Sequence, residues 1–579
     1  PAAPAPIAEA APPPPPPRAG ERAGGAGLPG PTPTPIAEAA APSPPPRAGE
    51  RAGDGIRPAP ATVLLRLSPE EMAAAREREV GAPAPASAAP PPPALQLTFD
   101  PADSPALGQA LPGLAAALDT AAMRDFLQAA LFGKLHPQAT IVGVKTSDAA
   151  LLPGGDCLLR YKLELQDGAG QSAELLVTGR IMASQLDCAL YMRDRLAPLV
   201  ALLRGRPALA ALRAPAAMLE PLNMVVHAFP IDGDMPTLAA ATDPQRMAEV
   251  IGEALSAGAE EPLVVEHCHV EVVDYARQGR CTLRYQFEGR QAGAAQPAAQ
   301  TVYGKVYADD LGAAIVPVVA ALRPRALATG VAIPRTLAWR PDLKLALLET
   351  LPGEPVIADV LGARLRGKPA PEGALPLEEL VERSGQVAAA LHGSGVRLGR
   401  RRALDNELAA LRQELALVRR FAPALATRLD AALQQLDAYA EQSDPLGLRL
   451  SHGDFTHGQL IFDGPRVGLV DFDTLCQAEP ALDLAQFLVY LRIAARKSDP
   501  ATSNPLLRQL GERFLGAYLA AAGEAIEDAE RLQVRIAVYR VVSLLRRTLR
   551  SWQKFKGSRT SHAFTLLEEE LACLPQLDS

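Results

Sequence analysis

A stretch of this chain is written twice, and that duplication limits its possible folds more than any other feature. DCLLRYKLE (Asp156 to Glu164) returns as RCTLRYQFE (Arg280 to Glu288), 281 − 157 = 124 residues later at the cysteines. LLVTGRIM returns as TVYGKVYA, which sets Arg180 against Lys305 at 305 − 180 = 125. PLNMVVHAFPIDGDMP returns as PDLKLALLETLPGEP, with Gly233 against Gly353 at 353 − 233 = 120. Three blocks in one order at nearly one spacing point to a duplicated unit. Each copy reads as strands rich in β-branched and aromatic residues and a helix (ASQLDCALYMRDRLAPLVALL in the first), followed by two more strands.

The flanks differ in kind. Before the first copy lies a Pro/Ala/Gly-rich segment with its own direct repeat. PIAEAAPPPPPPRAGERAG starts at Pro6 and PIAEAAAPSPPPRAGERAG at Pro35, 35 − 6 = 29 residues on. Such a composition cannot bury enough apolar surface to offset chain entropy, so a disordered tail over 1–95 is expected. One short helix is expected inside it at SPEEMAAARERE, with Ser68 as cap, Pro69 at the first position and Glu71 completing a capping box. After Gly353 the text turns helical. LEELVERSGQVAAALHGSG, DNELAALRQELALVRRF, LATRLDAALQQLDAYAEQ and ALDLAQFLVYLRIAARK all repeat apolar residues at three- and four-residue steps. A β-rich part joined to a mostly helical part predicts an α+β, two-lobe layout.

Composition excludes several classes. Net charge is −7, so no global basic field points to nucleic acid. The six cysteines form no CxxC pair, which argues against a disulfide framework or zinc ribbon and for a reducing cytoplasm. No charged-then-apolar leader is visible from Pro1 onward. No apolar run of about 18 residues stands out, so no membrane span is expected.

Chemistry concentrates in SHGDFTHGQLIFDGPRVGLVDFDT (Ser451 to Thr474). LIF and VGLV are short strand candidates around the turn residues Asp463, Gly464 and Pro465. A hairpin there brings the loops before and after it to one end, with Asp454 and Gln459 facing Asp471. Two carboxylates and an amide oxygen suit a hard cation that keeps several waters, Mg²⁺ rather than Zn²⁺. A carboxylate outside the metal shell can accept a proton from an attacking hydroxyl.

HGD-x₄-Q followed by VDFD resembles the catalytic and metal-binding loops of the aminoglycoside phosphotransferase-like family, a branch of the protein-kinase-like fold. The resemblance implies ATP and Mg²⁺ as cofactors, Asp454 as catalytic base, and Gln459 and Asp471 as metal ligands. The usual residue at 459 is Asn. Gln there is a departure that maltokinase-like, sugar-directed relatives share, and it keeps the same ligand atom on one extra methylene. AEPALDLAQFL resembles the family segment in which Asp483 holds the catalytic loop, and AALHGSG resembles its Ala-x-Leu-His helix end. Further back, VYGKVY fits the strand that supplies the phosphate-binding Lys305. LALLETLPGEP fits the hinge strand, where Glu349 to Leu351 would offer backbone groups to adenine. The likeness covers about residues 265–555. It implies a degenerate small-lobe-like domain at 96–245, a small lobe at 246–355 and a helical catalytic lobe at 356–579.

Two features run against catalysis. RQGRCTLRY offers only Gly279 where a phosphate cover normally shows several glycines, and DDLGAAIVPVVAALR has no glutamate to pair Lys305, which leaves Asp309 or Asp310 for that role. Other residues are read plainly. His267 and His269 on one strand face lack further ligands, His452 is a structural hydrogen-bonding residue, His457 is a loop residue near the metal, and Cys476 is a small buried residue. LLRRTLRSWQKFKGSR is a basic stretch with two readings, a solvated helix face or a substrate wall on which Trp552 stacks. The expected activity is transfer of the γ-phosphoryl group of ATP to a hydroxyl of a small-molecule acceptor such as a sugar. The competing readings are a nucleotide-binding scaffold without turnover and a metal-dependent hydrolase.

Overall fold

The computed structural model describes residues 97–133, 139–257, 262–275, 279–291, 298–441, 444–523 and 528–574. The Pro/Ala-rich segment and the short helix expected at Ser68 lie outside them.

The first copy builds a five-stranded antiparallel sheet from β1 (Ala139–Leu151), β2 (Cys157–Asp167), β3 (Ser172–Ile181), β4 (Ala216–Leu219) and β5 (Met224–Ala228), in the order β1-β2-β3-β5-β4. The second uses β6 (Leu263–Asp274), β7 (Arg280–Gln291), β8 (Ala298–Tyr307), β10 (Thr336–Arg340) and β11 (Leu345–Glu349), in the order β6-β7-β8-β11-β10. Between them in sequence β9 (Val331–Ala332) joins another sheet.

The likeness goes beyond strand order. Both first strands are bulged at matching places, Ile141/Gly143 and Thr146/Asp148 in β1, Val265/His267 and Val272/Asp274 in β6. Both sheets are preceded by an aspartate-capped helix. Asp119 caps Thr120–Leu127 and Asp243 caps Pro244–Ser256, each side chain accepting two backbone N–H groups left free at the helix start. A buried tyrosine ties each sheet to the turn before that helix, Tyr161 to the Ala117 carbonyl (2.7 Å) and Tyr285 to that of Ala241 (2.8 Å). Both tyrosines would otherwise bury an unsatisfied hydroxyl, so the repeated bond fixes the same packing twice.

Helix Leu311–Ala328 follows β8 and corrects one expectation. Its 18 residues have a mean hydropathy of 1.5, long and apolar enough to cross a membrane by that test alone. Here one stripe of it (Ile315, Val318, Val319, Leu322, Ala326) is buried and the helix packs on β9, β10 and β11, the place of a core helix.

The larger lobe carries helices Leu377–His392, Leu404–Phe421, Pro423–Ala440, Ala481–Ala494, Pro500–Ala522, Ala529–Gln553 and Gly557–Cys573. Five short strands punctuate it: β12 (Arg400–Arg401), β13 (Arg449–Ser451), β14 (Leu460–Asp463), β15 (Arg466–Leu469) and β16 (Cys476–Ala478). They form two three-stranded sheets, β12-β16-β13 and β14-β15-β9. The inner face of the first unit joins one continuous core with this lobe, whereas the second unit has a core of its own around Leu283, Tyr285 and Leu347.

One side of the basic stretch belongs to that lobe's interior while Arg550 and Arg559 stay exposed, and this removes the reading of a wall on which Trp552 stacks. Trp552 is fully buried and its indole N–H donates to the Thr98 carbonyl (3.2 Å). Arg546 is buried against Glu407 (2.5 Å). An indole without exposed face cannot stack on a sugar. It tethers the chain entering the first unit.

Candidate active site

The expected hairpin is β14–β15, paired in register from Leu460↔Leu469 to Asp463↔Arg466. It brings the loop after β13 and the loop after β15 to one end. Gln459 donates from Nε2 to Asp471 Oδ2 (3.3 Å), and Lys305 on β8 reaches Asp471 Oδ1 (2.5 Å). Lys305, read apart from the hairpin pair Gln459 and Asp471 in the sequence, therefore joins them in one cluster. Asp471 adopts a left-handed backbone conformation (φ 64°), which an aspartate tolerates better than a branched residue would.

Asp454 sits in a frame built around its backbone. Fully buried Asp483 accepts the N–H groups of His452 (2.6 Å) and Gly453 (2.8 Å), and His392 Nε2 lies 3.2 Å from the same carboxylate. Burial pushes the Asp483 carboxyl up, but the His392 hydrogen bond and the neighbouring charges and amides outweigh it and hold the group below the usual carboxylate range. The Gly453 carbonyl accepts from Arg402 (2.9 Å) and from Gln486 (3.1 Å), whose Oε1 takes the Phe455 N–H (3.0 Å). Gly453 has φ 76°, and a Cβ there would collide with the Thr474 carbonyl, so glycine is required. Within this frame the half-buried Asp454 carboxylate makes no hydrogen bond or ion pair among the described residues.

The two residues expected at the hinge differ in their backbone partners. The Glu349 N–H is spent on the Arg335 carbonyl (2.9 Å), and its side chain accepts from the Arg335 N–H (3.0 Å). Leu351 makes no backbone hydrogen bond among the described residues, and its side chain lies against Gly468 of β15. Just beyond, Gly353 (φ 107°) packs on the Phe462 carbonyl of β14 so closely that no Cβ fits.

The partner of Lys305 also differs from expectation. Asp309 accepts the Leu311 N–H and Asp310 lies 3.5 Å from Lys344. The second carboxylate on Lys305 is Asp473 (3.1 Å), which also receives Tyr307 OH (2.8 Å) and Arg280 Nη1 (3.2 Å). Asp473 lies inside VDFDT and Arg280 directly follows Gly279. Both were visible in sequence, but nothing there joined residues so far apart.

His452 is structural, with Nε2 at 2.9 Å from the Val470 carbonyl. His457, beside Gln459, is half-buried, and burial holds its imidazole below the ordinary value. Burial pushes the Cys476 thiol up to about 12, so it stays protonated. His267 and His269 lie exposed on edge strand β6.

Gln459 and Asp471 supply adjacent oxygen-bearing side chains of the type a Mg²⁺ ion takes when it keeps several waters, so this donor set fits that ion. No group of three or more His, Cys, Asp or Glu among the described residues would build a protein-only cage for a metal.

Residues 303–534 match the model of the phosphotransferase enzyme family. Among solved structures, similar ones include a glucosamine kinase in complex with glucosamine, ADP and inorganic phosphate (19% identity, 57% of this chain and 88% of that one, TM-score 0.38). Another is a choline/ethanolamine kinase family protein from Mesorhizobium loti (15%, 53% and 92%, TM-score 0.35). A third is the macrolide 2′-phosphotransferase of Brachybacterium faecium (18%, 57% and 99%, TM-score 0.32). A search of curated proteins gives no match. The stretch that matches the family model takes in Lys305, the Asp454 frame and the hairpin. The part of the chain that is similar to the phosphotransferase enzyme family is thus residues 303–534.

Proposed function

We propose that this protein is an ATP-dependent small-molecule kinase that transfers the γ-phosphoryl group to an acceptor hydroxyl, with Asp454 as general base. One observation carries the reading. The backbone on both sides of Asp454 is clamped by Asp483, Arg402 and Gln486, while its carboxylate is left without a protein partner. A rigidly held carboxylate free to accept a proton is what an attacking alcohol needs.

The other roles follow from the cluster. Lys305 supplies the cation for the phosphates, and Leu351 offers open backbone groups to the adenine edge. Gln459 and Asp471 would hold Mg²⁺, which when bound neutralises phosphate charge. Asp473, with both oxygens engaged by Lys305, Tyr307 and Arg280, positions the lysine rather than binding metal. The six free cysteines fit work in a reducing cytoplasm.

With Trp552 buried, no residue described above favours a sugar over another alcohol. The acceptor is best found by following Mg²⁺-dependent ADP release against a panel of sugars, amino sugars and amino alcohols. Stimulation by one acceptor, abolished in Asp454→Asn, is the expected result. Tight Mg·ATP binding with no turnover on any acceptor would make the protein a nucleotide-binding scaffold. Phosphate release without ATP would make it a hydrolase.

A further inference from the structure

The face of the second sheet that carries Lys305 also carries Tyr303, Arg284 and Leu348, set by the pairs Arg284↔Tyr303 and Tyr303↔Leu348. The equivalent face of the first sheet carries Arg180, Thr178, Arg160 and His227, set by Arg160↔Thr178 and Thr178↔His227. In the second unit this face looks onto the phosphotransferase cluster. In the first unit it is closed by a side chain from the second.

That side chain is Tyr275, the residue that follows β6. It is only 6% exposed, its hydroxyl donates to Asp232 Oδ2 (2.5 Å), and the Arg160 guanidinium lies over its ring at 4.0 Å. Phe229 meets the ring edge-on at 5.3 Å. Arg160, Thr178, His227 and Asp232 are all buried beside it. Arg160 keeps two buried donor atoms, Nε and Nη1, without an acceptor, so the tyrosine ring face is the contact that its guanidinium makes. A buried arginine left so poorly paired is costly, and a fold keeps it where it holds something in place.

What is held can be named. The chain that leaves Tyr275 returns at Gly279, whose carbonyl accepts from Ala308 N–H (2.9 Å), and Arg280 opens β7 and reaches Asp473 (3.2 Å). Tyr275 therefore anchors one side of the β6–β7 turn, and Arg280 on the other side touches the Lys305 cluster. We propose that the first unit is a brace rather than a second nucleotide site. Its cleft is filled by Tyr275, a positioning residue that keeps Arg280 and the β7 start over the site where the second unit binds nucleotide phosphates. The brace rests on the proposed function for its link to ATP, but not for its structural part.

The test uses the full chain and the variants Tyr275→Ala, Tyr275→Phe and Arg160→Met. Amide exchange without nucleotide reads the brace directly. Tyr275→Ala should speed exchange in the β7 start roughly tenfold or more, the loss of one hydrogen bond to a charged group, while β10 and β11 stay as in wild type. Mg·ATP affinity by calorimetry should fall about tenfold in Tyr275→Ala and about threefold in Tyr275→Phe, which keeps the ring under Arg160. Turnover at saturating ATP should change far less than KM for ATP. Exchange and affinity within twofold of wild type, accompanied only by a lower Tm, overturn the brace. If Tyr275→Ala does not fold, the Phe and Met variants carry the same test. A wild-type protein that binds no Mg·ATP sinks the kinase reading, and the exchange arm still decides the brace.

Discussion

Arg180 and Lys305 stand at the same place on the third strand of their units, and the contrast in their surroundings separates a scaffold from a site. Arg180 is satisfied locally, by Asp156 (2.8 Å) and Asp234 (3.3 Å), both within its own unit. Lys305 is met by Asp471 and Asp473, delivered from the large lobe by the hairpin. Strand order, bulges, capped helix and buried tyrosine are common to both units. A cation on that strand becomes useful only through what a second lobe sets opposite it. The guanidinium fork of Arg180 also suits bidentate carboxylates better than a site shaped for a compact ammonium.

The largest effect should appear at Asp454, in the large lobe whose hairpin meets Lys305 of the second unit. Asp454→Asn should leave Mg·ATP affinity intact and cut turnover by roughly 10²–10⁴, the range for loss of a general base. Unchanged turnover would remove the base assignment. Next comes the frame around Asp454. Asp483→Asn strips the buried partner of His392 and of two backbone amides, and should cost about 3–5 kcal/mol in denaturant unfolding. Its acid limb should differ too. Because the folded carboxyl lies below its unfolded value, its stabilisation is complete above about pH 3.9 and fades as pH falls through the folded pKa. A variant whose stability declines towards low pH as steeply as wild type would show that Asp483 is not the titrating group.

Smaller effects test the two cations against each other. Lys305→Ala should weaken ATP binding roughly tenfold or more, the worth of a charged hydrogen bond, and Arg180→Ala should leave it nearly unchanged. Titrating labelled ATP should count one site. Two sites in wild type, one of them lost in Arg180→Ala, would make the first unit a working nucleotide lobe. The mildest change is at Gln459. Gln459→Asn should keep partial activity because the amide oxygen survives, whereas Gln459→Leu should raise the Mg²⁺ needed for half-maximal rate. Equal Mg²⁺ dependence in wild type and the Leu variant would take the side chain off the metal.

The sequence made legible what is local or repeated. Duplicated strands kept their alternation and spacing, and Asp454, Gln459 and Asp471 fall within one hairpin's length. What it hid depends on distant surfaces meeting. Arg280 and Asp473 are 193 residues apart, and no pattern along the chain links them. Arg402 and Gln486 hold the Asp454 loop from two other elements, each reading alone as an ordinary helix or strand neighbour. Trp552 was ambiguous because a basic helical stripe does not say which side other elements will cover, and the segment that buries it enters from Thr98. The N–H of Glu349, in LALLETLPGEP, is taken by the return of Arg335 alongside β11, a pairing that no local pattern announces.

The hairpin is pinned to the small-lobe chain along both edges. Glu354 and Phe462 exchange two main-chain hydrogen bonds (3.1 and 3.0 Å), and β15 pairs in parallel with β9 through Val467↔Val331 and Gly468↔Ala332. Every amide except that of proline can make such bonds, so the pins place almost no demand on side-chain chemistry. Val331, Phe462 and Val467 also fill the buried core, so size is constrained there, whereas exposed Glu354 can drift over evolutionary time. The position of the Asp471 loop against the small-lobe chain is thus carried by the backbone, and side-chain changes that keep the core filled leave it in place.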